Sequence, residues 1–128
     1  MKTENLQEWI GKTEERSDLL NAFPANAMAA TLNHEQLDYS ENKNLPPLWH
    51  WLYFLPIFRL SEAGYDGHAA LGDFLPPVQL PRRMWAGSRI EFLSPLKVGN
   101  EYKKKSKIKD VTAKSGRSGD LVLSLIHI

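Results

Sequence analysis

Asp66 and His68 stand two residues apart in the run Gly64-Tyr65-Asp66-Gly67-His68. A carboxylate and an imidazole can share acid–base work on a small substrate. The same Asp-Gly-His run is also an ordinary turn, with Gly67 supplying a positive φ. Arg82 and Arg83 are the other chemically loaded pair. Guanidinium groups grip phosphate bidentately, so either arginine can meet an anion or pair with a carboxylate such as Asp73 or Glu91. His50 alternates with tryptophans in an apolar run, the setting of a satisfied core histidine. His34 sits in a polar stretch with no partner nearby in sequence. No two histidines have metal-ligand spacing, so zinc is not expected. There is no phosphate-cradling P-loop, no GxGxxG and no GxSxG elbow. The chain has no cysteine, which excludes disulfides, thiolate metal sites and cysteine nucleophiles.

The elements around these residues follow from pattern. The stretch from Asp66 to Gly87, DGHAALGDFLPPVQLPRRMWAG, is the organising loop. Pro76, Pro77 and Pro81 fix φ and remove backbone donors, which makes it extended and stiff. It delivers Arg82 and Arg83 to the next element, and long ordered loops are where binding concentrates. Upstream, Leu6, Trp9 and Ile10 fall on one face of a short helix that Gly11 can end. Pro24 suits a first helical turn, and ANAMAATL predicts a helix over 24–32 whose small side chains pack closely. Residues 33–47 read as loop. LWHWLYFL, residues 48–55, predicts a buried strand bounded by prolines. Strands are expected over 84–93 and 101–113, followed by a hairpin loop over 114–120 and a further strand from Leu121. Helices first and antiparallel strands after give an α+β domain with a helix laid on one sheet.

At 128 residues, one domain with a real core is expected. The N-terminus has no apolar signal region, and the longest apolar run is too short to span a bilayer. A cytoplasmic protein is the expectation. Charge is uneven. Residues 1–47 carry eight acidic and four basic side chains, whereas residues 97–117 carry eight basic and two acidic. Such a split suits either an anionic partner or a solvated sheet face whose lysines guard an edge. Nucleic-acid binding by 101–109 is disfavoured, because stacking aromatics are not interleaved.

Five segments together are distinctive: LWHWLYFLP at 48–56, GYDGH at 64–68, FLPPVQLPRRMWAGSRIEF at 74–92, PLKVG at 95–99 and GRSGDLV at 116–122. They closely resemble the N-terminal half of the MaoC-like, hydroxyacyl-thioester dehydratase type 2 family, which includes mesaconyl-CoA and itaconyl-CoA hydratases. The resemblance implies a hot-dog fold, a helix wrapped by a curved antiparallel sheet. It implies reversible hydration of an acyl thioester on CoA or acyl carrier protein. No separate cofactor is implied, since CoA or phosphopantetheine is part of the substrate. An Asp/His pair on a C-terminal half would move the protons, while the N-terminal half shapes the acyl and pantetheine tunnel. Arg82, Arg83, Trp85 and Gly87 are then the expected substrate-binding residues.

The sequence departs from that pattern at the chemistry. The family places Asp and His five residues apart in D-x-N-P-x-H, which Asp66 and His68 do not match. No catalytic residue carries over, so the chain is expected to be inactive alone. The partners implied are an acyl-CoA or acyl-carrier thioester, the C-terminal hot-dog half of a parent chain and a second copy in a homodimer, with no nucleic acid and no membrane. The sheet is expected to lack its last strand or strands. LSLIHI, residues 123–128, also coincides with one reading frame of a common transposase sequencing adapter. The expectation is a family domain over 1–122 and a non-native tail over 123–128. The competing reading is a bare acyl-CoA or acyl-carrier binding module.

Overall fold

The computed structural model describes residues 5–128. The chain gathers into two compact units. One holds the residues up to Glu15 with Pro56–Ala86 and Lys105–Ile128, and the other holds Arg16–Leu55 with Gly87–Lys104. The elements form an α+β set: a strand β1 (Thr13–Leu19), a helix α1 (Ala22–Thr31), and two further strands, β2 (Glu101–Gly116) and β3 (Gly119–His127). The strands make one sheet in the order β1-β2-β3.

The helix α1 starts two residues before the expected 24 and ends one before 32. Asn21 is the N-cap, and its side chain accepts from the Phe23 N–H at 3.2 Å. Pro24 falls in the first turn, where its missing N–H costs nothing. Asn33, at φ 57°, closes the other end. The His34 N–H donates to the Ala29 carbonyl and the Asn33 N–H to the Ala30 carbonyl, a Schellman pairing that satisfies the last carbonyls. Ala25 and Ala29, four residues apart, are fully buried. They admit close approach of Leu20, Tyr39, Leu45, Tyr53 and Val98, which complete the core of this unit.

The strand β2 resolves a puzzle in its own sequence. Ile108 and Val111 are both buried, yet three residues apart they would face opposite sides of a regular strand. The register against β3 runs Ile108 to Ile126 and then Asp110 to Leu125, so Lys109 is an inserted bulge residue. The bulge restores both apolar side chains to one face. Beyond it, β2 and β3 pair antiparallel as far as Gly116 opposite Gly119. The turn is therefore only Arg117 and Ser118, and the hairpin loop expected over 114–120 is mostly strand. Gly119 takes φ +111° there, a conformation that needs no Cβ.

Three other expectations are corrected. Residues 48–55 do not form a strand; Trp49–Leu52 is a short 3₁₀ helix. Pro46 and Pro47 withhold ladder donors, Leu48 turns to φ 73°, and the Trp49, Trp51 and Tyr53 N–H groups bond carbonyls three residues back. Residues 84–93 form no strand either. Met84, Trp85 and Leu93 are exposed, so alternation there is not matched by burial on one face. Conversely, β1 (TEERSDL) was not expected. Its charged side chains have weak strand propensity, and pairing with β2, not local preference, makes it a strand. Leu6–Trp9 is a 3₁₀ helix and not an α-helix, and Gly11 follows it at φ +90°.

Candidate thioester-binding segment

The proline-rich connection is built up from its turn. Gly67 takes φ +79°, and the Asp66 carboxylate accepts the His68 N–H at 3.1 Å. The Gly64 N–H donates to the His68 carbonyl at 2.7 Å, and Ala63 and Ala69 pair as an isolated bridge. A side chain on Gly64 would press the Asp66 carboxylate, since its Cβ would lie 3.0 Å from Oδ1. The turn reading of Asp-Gly-His is therefore the one the geometry bears out.

The same carboxylate does more than close the turn. Its Oδ2 lies 3.5 Å from Arg83 Nε and 3.5 Å from His68 Nδ1. Arg83 thus pairs with Asp66, not with Glu91 or Asp73. The His68 backbone N–H, then the Arg83 and His68 charges, hold the Asp66 carboxyl below its ordinary range despite some desolvation. A carboxyl held ionised by a backbone hydrogen bond and a neighbouring guanidinium is a poor proton donor.

Between these ends the loop is tied at several points. The Tyr65 hydroxyl donates to the Leu80 carbonyl at 3.1 Å. The Lys12 ammonium, which also lies over the Trp9 ring, donates to the Asp73 carbonyl. Pro76 is fully buried, and the Gly72 N–H reaches the Leu75 carbonyl at 2.9 Å. Arg82 is exposed, as is Trp85. Among the described residues no carboxylate lies within ion-pair distance of Arg82. Gly87 is exposed, and a Cβ there would meet nothing.

The other unit has its own recess. A cleft of about 350 Å³ is lined mainly by Leu45, Pro46, Pro47, Phe92 and Leu96, with His50, Asn44 and Ser94 as polar members. Burial, and to a lesser extent the Lys104 charge, pushes the His50 imidazole below its ordinary range, so it is neutral at neutral pH. His34 stacks on Trp49 at 5.8 Å. Among the described residues no three His, Asp or Glu side chains converge as a metal site. No helix of the described residues is long and apolar enough to cross a membrane.

Against known proteins, residues 48–126 match the hydroxyacyl-thioester dehydratase type 2 family. The chain belongs to that family. It is 44% identical over 121 residues to the mesaconyl-C(4)-CoA hydratase of Chloroflexus aurantiacus, an alignment covering 94% of this chain and 43% of that protein. The chain therefore spans less than half the length of the relative it matches. Within this hydroxyacyl-thioester dehydratase segment lie all five segments that carried the resemblance.

The Asp66–Arg83 pairing is what sequence reasoning missed. Its only signal was opposite charge at the two ends of one loop. The contacts of Lys12 and Tyr65 with backbone carbonyls leave no sequence signal, because a carbonyl is present at every residue.

Proposed function

We propose that this chain is the substrate-holding, hot-dog half of an acyl-thioester hydratase or dehydratase, acting on an acyl group carried by CoA or by the phosphopantetheine of an acyl carrier protein. One observation carries the reading: 44% identity, across 94% of this chain, to a protein named as a CoA-thioester hydratase. The α+β content and the antiparallel β2–β3 pair are compatible with a hot-dog arrangement. Arg82, Arg83, Trp85 and Gly87 form the proposed binding segment, with one of its two guanidinium groups for phosphate and the indole for the apolar or pantetheine portion. Proton transfer is assigned to a C-terminal half, because D-x-N-P-x-H is absent here and Asp66 is engaged in its own turn. By itself the chain binds and does not turn over. The tail over 123–128 is proposed as non-native, and sequencing the locus past the codon for Val122 decides that point.

The experiment pairs turnover with binding. Purified chain is mixed with crotonyl-CoA while the enoyl absorbance is followed, and CoA is titrated by calorimetry. Binding without loss of absorbance is expected. Turnover by this chain alone would overturn the division of labour, and absence of any CoA or phosphopantetheine binding would overturn the reading itself.

A further inference from the structure

The two adjacent arginines are unlike. Arg83 Nε faces the Asp66 carboxylate at 3.5 Å, and the Arg83 side chain is 32% exposed. Arg82 is exposed, with no carboxylate among the described residues in reach. The Arg83 guanidinium is committed to Asp66, and Arg82 is not part of that pair. The Asp66 carboxylate accepts from the His68 backbone at one oxygen and faces Arg83 at the other. It therefore joins the turn at the start of the loop to the chain leaving it. The Tyr65 hydroxyl, one residue before Asp66, repeats the closure by bonding the Leu80 carbonyl.

From this we infer that Asp66 and Arg83 form a clasp that fixes the exit of the 66–83 loop, and that Arg82 is the guanidinium that meets a phosphate of the thioester carrier. Asp66 and Arg83 are positioning residues and do not touch the ligand. The second part rests on the proposed function; the clasp itself does not. A closed loop presents Arg82 with less ordering left to lose on binding, and a charge-assisted contact to phosphate is among the stronger hydrogen bonds.

The test uses the full chain, with CoA, phosphopantetheine and phosphate-free pantetheine titrated by calorimetry and loop exchange followed by hydrogen–deuterium mass spectrometry. Arg82→Ala is expected to weaken CoA about tenfold, leave pantetheine unchanged and leave exchange over 67–81 unchanged. Arg82→Lys restores part of the loss. Arg83→Ala and Asp66→Asn are expected to speed exchange over 67–81 and weaken CoA by about threefold, an indirect effect smaller than loss of the contact. Asp66→Glu recovers both. In the double variant Asp66→Asn/Arg82→Ala, CoA binding is expected to be no weaker than in Arg82→Ala alone, since Asp66 acts through Arg82. Equal loss in Arg82→Ala and Arg83→Ala with exchange unchanged would mean that both arginines touch the ligand, and would overturn the inference. Wild-type exchange in Asp66→Asn would overturn the clasp. If the wild-type chain binds neither phosphate-bearing ligand, Arg82's role falls together with the proposed function, while exchange still judges the clasp. Phosphopantetheine bound as tightly as CoA places Arg82 at the pantetheine phosphate; CoA bound more tightly places it at the nucleotide.

Discussion

Two proline-bounded segments of this chain reach order by opposite means. The aromatic segment over 45–54 is held by its core. Leu45 and Tyr53 are buried, the Tyr53 hydroxyl donates to the Asn21 carbonyl at 2.6 Å, and the Phe54 N–H donates to the Asp18 carboxylate at 2.9 Å. The proline loop over 66–83 buries one residue fully, Pro76, and is otherwise tied by polar contacts at its rim. Apolar burial is worth kilocalories per side chain, whereas exposed ion pairs are worth a fraction of one. The first segment should therefore melt only with its unit, and the second should loosen by itself. A loop that can loosen is suited to receiving a ligand.

The comparison can be broken in order of effect. Leu20 is fully buried in the core that seats the aromatic segment. Leu20→Ala should cost about 2–5 kcal/mol, read as a shifted urea midpoint with unchanged slope. A loss below about 1 kcal/mol would mean that this core does not organise the unit. Tyr53→Phe keeps the ring and deletes the hydroxyl. It leaves the Asn21 carbonyl short of a donor and should cost about 1 kcal/mol.

The same hydroxyl makes an alkaline prediction. Burial, followed by the Asp18 charge, raises the Tyr53 pKa, against a backbone hydrogen bond that lowers it. A phenol raised in the folded state contributes stability below its unfolded pKa, and that contribution is lost as pH rises through the folded value. Thermal stability should fall above about pH 10, and Tyr53→Phe should flatten the fall. The smallest effect belongs to Asp66. Its carboxyl is held low, so its contribution is present above the unfolded carboxylate pKa and is lost as pH falls through the folded value. Protection factors in the 67–81 loop, corrected for the intrinsic exchange rate at each pH, should fall on acidification and with added salt, with little change in the global melt. A matching drop in the global melt would make the loop part of a core after all.

Where sequence pattern and structure agree, local physics decided the outcome. Pro24 and the alanines marked α1, and Gly116 to Gly119 marked the hairpin. Where they part, the deciding partner was distant. LWHWLYFL has the composition of a strand, but with prolines on both sides and Leu48 turned left-handed it coils into a 3₁₀ turn. TEERSDL looks like surface and becomes β1 because β2 lies beside it; Lys105 pairs with Glu15 at 3.5 Å. Ile108 and Val111 carried a readable signal of the bulge in their odd spacing. In the proline loop, residue types pointed to Arg82 and Arg83 together, and only the position of Asp66 separates them.

The two-residue turn at Arg117 and Ser118 has a kinetic consequence. A hairpin closed over so short a loop forms on the order of 1–10 μs. The Gly11 N–H, by contrast, finds the Ile108 carbonyl from the far end of the chain, and that closure carries the larger entropy. The β2–β3 hairpin should therefore be present early in refolding, offering a ready template edge, with β1 docking late. Until β1 arrives, the other edge of β2 stands open to any other strand, so refolding yield should depend on concentration more steeply than native stability does.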